Sequence, residues 1–136
     1  MTKFNPLEHP ICFSRPLRLA ATAELAHVPF AMFLVDLLRP KVLVQLGVRE
    51  GTLFCAYSQA VKELRLGTRC FAIGDWQDRG GENGNLQMLE DLRAHHDPLY
   101  ADFSQLIQES LDDAHANFAR SSRRYDRTAR VRNSAV

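Results

Sequence analysis

The chain has 136 residues, 46% of them apolar and 24% charged, with a net charge of +1. This is the composition of one ordinary globular domain, and no run reaches the roughly 18 consecutive apolar residues that a membrane-spanning helix needs. Met1-Thr-Lys-Phe-Asn-Pro6 has no apolar stretch behind a basic start, so no signal peptide is read there and a cytoplasmic protein without membrane partners is expected. Cys12, Cys55 and Cys70 are odd in number and far apart, which suits reduced core thiols better than a disulfide frame or a zinc site.

The charge is unevenly placed. Residues 120–136 hold six Arg and one acid, a local charge of +5, and leave −4 on the rest of the chain. Val131 and Val136 are the sole aliphatic side chains there larger than Ala. Without apolar periodicity this tail is expected to be disordered, apart from a domain over 1–119.

In chain order, residues 1–19 are punctuated by Pro6, Pro10 and Pro16 and read as an extended lead-in anchored by Ile11, Cys12 and Phe13. Pro29 divides the helix-compatible run 20–38 into a short helix and a second one starting at the proline. Phe30, Phe33, Leu34, Leu37 and Leu38 then follow the spacing of a buried face. Pro40 ends that helix. Val42 to Leu46 is a short apolar strand, Gly47 and Gly51 form a turn, and Leu53 to Leu64 is an amphipathic helix with Gly67 as its left-handed cap. Arg69 to Ile73 is a second strand, 78–84 a glycine-rich loop, and Leu86 to His95 a helix broken by Asp97-Pro98. Residues 105–109 form a third strand. Ser110 and Asp113 have the spacing of a capping box, opening a helix through Phe118.

Strand, glycine turn, helix, strand is the start of a βαβ unit in an α/β protein with a parallel sheet. Both strand–loop junctions, after Leu46 and after Ile73, then open on the edge where ligands bind. Gly47 and Gly51 allow close backbone approach beside a helix N-terminus suited to anions. Asp75 is placed to accept hydrogen bonds from two ribose hydroxyls, and Trp76 to lie against an adenine ring. A turn residue and a core aromatic explain Asp75 and Trp76 about equally well. The five histidines show no metal spacing, since the adjacent His95 and His96 point apart on a helix. No residue is assigned a catalytic role.

These residues also carry a family resemblance. His27-Val-Pro-Phe-Ala31, Leu38-Arg-Pro-Lys-Val-Leu-Val-Gln-Leu-Gly47, Phe54-Cys-Ala-Tyr-Ser-Gln-Ala-Val-Lys-Glu-Leu64, Thr68-Arg-Cys-Phe-Ala-Ile73, Trp76-Gln77, His96-Asp-Pro-Leu-Tyr100 and Phe103-Ser104 resemble the class I S-adenosylmethionine-dependent methyltransferase-like domains often fused to bacterial glycosyltransferases. The resemblance implies a partial Rossmann-like sheet with flanking helices and an S-adenosylmethionine pocket formed by Gln45, Gly47, Gly51, Asp75 and Trp76. Gln45 stands where the family has an acid, and Gly74 stands where it has its second acid, one position before Asp75. After Phe118 the family continues with a fourth strand, whereas Ala119-Arg-Ser-Ser-Arg-Arg124 follows here. The expectation is a truncated methyltransferase, with 120–136 read out of frame and activity left open. The strand 42–46 would then have a bare edge. The alternative function is a non-enzymatic module that associates with itself or another chain through that edge; nucleic-acid binding by the tail ranks last.

Overall fold

The computed structural model describes residues 5–20, 22–76 and 84–117. The expected loop at 78–84 falls almost wholly outside them, and the tail 120–136 entirely so. The architecture is α/β: three parallel strands in the order β1-β2-β3, flanked by helices. Strand β1 is Val42–Leu46, β2 is Arg69–Gly74 and β3 is Ser104–Gln108. Helices α1 (Val28–Leu38), α2 (Thr52–Glu63) and α3 (Gly84–Tyr100) precede, link and link the strands in turn. Residues 111–117 are helical again. Ser110 opens that last segment, its hydroxyl accepting from the Asp113 amide at 3.2 Å and donating to the Asp113 carboxylate at 2.8 Å. Among the described residues no helix is long and apolar enough to cross a membrane.

The lead-in is not extended. Pro6–Glu8 and Pro10–Phe13 are 3-10 turns, each begun by its proline, because a fixed φ near −65° suits a first helical turn. Of its expected anchors Ile11 is buried, whereas Phe13 is 66% exposed. Instead Gln59, buried on α2, fastens the strap: its Oε1 accepts from the Leu17 amide and its Nε2 donates to the Arg15 carbonyl, both at 2.9 Å. Pro29 sits in the first turn of α1, after a 3-10 turn over Ala23–His27, as its chemistry requires.

Three further expectations are corrected. Helix α1 turns inward not the stripe of Phe30, Leu34, Leu37 and Leu38 but Val28, Ala31, Met32 and Val35, with Phe33. The helix is apolar on two sides, so periodicity identifies two faces and cannot rank them. Helix α2 ends with Arg65, not Gly67, in the left-handed region (φ 54°). The Leu66 amide reaches back to the Val61 carbonyl at 3.0 Å, which satisfies an end carbonyl whatever residue supplies the turn. Pro98 lies inside α3 rather than beyond it. It costs one backbone bond near the end of the helix, while Tyr100, 1% exposed, packs into the core and holds the last turn in place.

The core lies between the helices and one face of the sheet, joining Met32, Val35, Phe54, Val61, Cys70, Ala72, Leu92 and Trp76. Cys55 and Cys70 are part of it as free thiols, and burial raises them to about 12 and about 11. A polar thread runs through this interior. His96 Nε2 meets the Ser104 hydroxyl at 2.8 Å, and Ser104 meets Ser58 at 3.0 Å. His96 Nδ1 meets the Asp97 carboxylate at 2.8 Å. The order Asp, His, Ser is that of a hydrolase triad, but Ser104 and Ser58 are sealed in the core. The thread pins β3 to α2 and α3.

Candidate functional site

Both strand–loop junctions open at the same sheet end, because β1 and β2 are parallel with Leu46 beside Ile73. Gly47 and Gly51 each take a positive φ, 74° and 77°, which glycine adopts without the strain any other residue would meet. The Gly47 and Val48 amides both donate to the Ile73 carbonyl, at 2.8 and 3.1 Å. The start of the turn is therefore held by the sheet. Two donors fix the rest: Trp76 Nε1 reaches the Arg49 carbonyl at 3.0 Å, and Arg18 Nε reaches the Glu50 carbonyl at 2.9 Å. Gly51 caps α2, with the Leu92 side chain packed where a Cβ would stand. Thr52 follows as the first helical residue, 1% exposed, its Oγ1 buried without a hydrogen-bond partner.

A cleft of about 220 Å³ lies against this turn. Gly47, Val48 and Arg49 form one side, Asp75 and Trp76 another, and Asn85, Met88 and Leu111 close it. Asp75 is exposed at the rim. Trp76 is 2% exposed, so the ring acts mainly as a wall and as a clamp on Arg49. The space beside the Gly47 Cα is open, with no heavy atom within 4 Å of a Cβ placed there.

Gly74 explains the missing acid. A Cβ at this position would lie 2.5 Å from the Val48 carbonyl oxygen and 2.7 Å from the Trp76 ring. The turn and the indole have closed over the place where a side chain would emerge. A carboxylate on this junction is therefore carried by the next residue, Asp75. Gln45 is not brought to the cleft. It lies in a separate groove between α1 and β1, with its Oε1 buried and unpartnered. The structure thus gathers Gly47, Asp75 and Trp76 around one cleft, sets Gly51 behind it at the head of α2, and leaves Gln45 apart.

Sequence reasoning missed Arg18, Asn85, Met88 and Leu111. Arg18 comes from the proline-rich strap, which has no periodicity to place it. Leu111 follows the third strand, and only the tertiary fold returns it to the first turn. His95, nearby on α3, is lowered from its ordinary value, first by burial and then by the neighbouring Arg18 and His96. Among the described residues no group of three or more His, Cys, Asp or Glu could hold a metal ion.

No family model and no solved structure matches the chain. It is 35% identical over 96 residues to an uncharacterized protein, y4gI, of Sinorhizobium fredii. That stretch is 68% of this chain and 10% of the relative, so the match spans about a tenth of the relative's length.

Proposed function

We propose that this chain contributes the cofactor-binding part of a class I S-adenosylmethionine-dependent methyltransferase-like domain, a partial Rossmann-like fold. One observation carries the reading: the left-handed Gly47 turn, the Asp75 carboxylate and Trp76 line one cleft at the end of a parallel sheet, with Gly51 behind it at the head of α2. The residues present fit the group. The open space at Gly47 admits a ligand close to the backbone. Asp75 accepts from a ribose diol, and Met88 and Leu111 offer apolar walls to a base.

When bound, the cofactor supplies an electrophilic methyl group; the described residues bind and orient it, and none is assigned to the acceptor. At about 220 Å³ the cleft is smaller than the ~300–1,000 Å³ of typical ligand sites. It suits part of the cofactor, and further polypeptide must complete the enclosure. A match that spans a tenth of a much longer relative accords with such a setting.

The test is thermal unfolding with millimolar S-adenosylhomocysteine. A ligand at a hundred times its dissociation constant stabilises the native state by about 2.7 kcal/mol, which a melting curve resolves readily. Asp75→Ala should lose most of the shift. A melting temperature that ignores the ligand at every concentration rejects the reading.

A further inference from the structure

Helix α1 is apolar all round. Its inward residues Val28, Ala31, Met32 and Val35 are at most 2% exposed, yet Phe30, Leu37 and Leu38 on the outside are 59%, 52% and 66% exposed. With Leu34 these outer residues stand at i, i+4, i+7 and i+8, one continuous stripe. The sole charged side chain of the helix, Asp36, is turned inward, 8% exposed, and bonded to His9 and Arg39 at 2.8 Å each. A helix with apolar groups on both its inner and outer sides is normally covered on both.

The neighbouring strand has the same property. Lys41, Gln45 and Gly47 direct their backbone groups at β2: the Arg69 amide donates to the Lys41 carbonyl, and the Gly47 amide to the Ile73 carbonyl. By the alternation of a parallel ladder, the amides and carbonyls of Val42, Val44 and Leu46 point the other way. No strand pairs with that edge among the described residues. Between stripe and edge runs a groove of about 290 Å³ that includes Leu34, Leu38, Val44 and the orphaned Gln45 oxygen. Six of the twelve large apolar side chains exposed among the described residues lie on α1 and β1, those of β1 on the sheet face of Phe71 and Ile73 and those of α1 on the helix side, and the two sets flank the bare edge.

We propose that this patch is an interface between two copies of the chain. The two β1 edges pair antiparallel about Val44, and the two α1 stripes pack across the same two-fold axis. The geometry is self-complementary: Val44 opposes Val44, and Val42 opposes Leu46 twice, so every outward amide meets an outward carbonyl. Three-stranded sheets become one six-stranded sheet, which removes the bare edge. The axis stands perpendicular to the sheet and keeps both copies of α1 on one face, side by side. The chain's own undescribed segments are poor covers. Residues 118–136 bring six Arg, with Phe118, Tyr125, Val131 and Val136 as their large apolar or aromatic side chains, and 77–83 bring Gln, Asp, Arg, Glu and Asn with two glycines. A second copy brings a matching apolar stripe and a matching strand edge. Helix and strand are each about 16 Å long, a footprint nearer the small interfaces than the ~800 Å² per partner of standard ones, so the dimer should dissociate in the micromolar range.

The test is sedimentation equilibrium on the full chain, with hydrogen exchange read at both ends of the concentration range. A closed dimer is expected, together with slowed exchange at the Val42, Val44 and Leu46 amides as concentration rises. Val44→Lys and Leu37→Lys, both at exposed positions, should each return it to monomer with an unchanged circular dichroism spectrum. The proposal is overturned by a monomer persisting to about 0.5 mM, well above a micromolar dissociation constant. Open-ended aggregates, or a dimer that survives both substitutions, would overturn it equally. So would a dimer in which those three amides exchange as they do in the monomer. None of these readouts involves the cofactor.

Discussion

Strands β1 and β2 lie side by side with Val44 beside Phe71 and Leu46 beside Ile73 on the same face of the sheet. Phe71 and Ile73 are 4% and 0% exposed, whereas Val44 and Leu46 are 39% and 59% exposed. The side chains are of one kind, and a single strand spacing, about 4.8 Å, separates them. Strands of parallel sheets are continuously apolar because they are covered on both faces and paired on both edges. β1 has the composition of such a strand without the surroundings. Its sequence is therefore a record of what must cover it, and that reading is independent of any family.

The contrast can be tested by cutting the same chemistry from each strand. Ile73→Ala in β2 should cost about 2–5 kcal/mol, the range for a buried branched side chain, measured by urea unfolding. Gly74→Ala at the end of the same strand meets the Val48 carbonyl and the Trp76 ring. It should cost about 1–3 kcal/mol by overpacking and also lower the Trp76 fluorescence shift on unfolding. Leu46→Ala in β1 should change stability by less than about 0.5 kcal/mol in dilute solution. A cost as large as that of Ile73→Ala would mean that β1 is already covered and would dissolve the comparison.

The smallest expected effect concerns pH. His95 is held below its ordinary value of 6.5, first by burial and then by Arg18 and His96. The unfolded chain therefore takes up the proton first as pH falls. Stability should be fully present above 6.5, and this contribution is lost as pH drops from there through the folded value. His95→Gln should flatten that slope between pH 7 and 5 in thermal melts.

Much of the fold was legible in the residues. The short, largely apolar strand segments, the glycines at 47 and 51 and Pro29 in a first helical turn each follow from local chemistry, and all three strands lie within a residue of their expected bounds. What was not legible depended on tertiary partners. Pro98 is tolerated because Tyr100 is anchored in the core, Arg65 replaces Gly67 because the chain must turn there, and the inward face of α1 is chosen by α2 and the strap. At the site the glycines and Asp75 were readable from spacing. For Trp76 a core aromatic and an adenine wall were both open, and its burial beside the missing Cβ of Gly74 is what the fold adds. Gln45 was included through the resemblance, as the residue at the family's acid position, and in the structure it lies in the groove between α1 and β1.

The polar thread behind β3 has a direction as well as a location. An ionised carboxylate can only accept, so Asp97 draws the proton of a neutral His96 onto Nδ1 and leaves Nε2 as the acceptor. Ser104 must then give its hydrogen to His96, and Ser58 must give its own to Ser104. One half-exposed carboxylate, 49% accessible beside a fully enclosed ring, thus sets the orientation of two hydroxyls deep in the protein. Asp97→Asn, whose amide can either give or take, would free the whole row to reverse, and the interior would hold two isomers differing only in the position of their hydrogens.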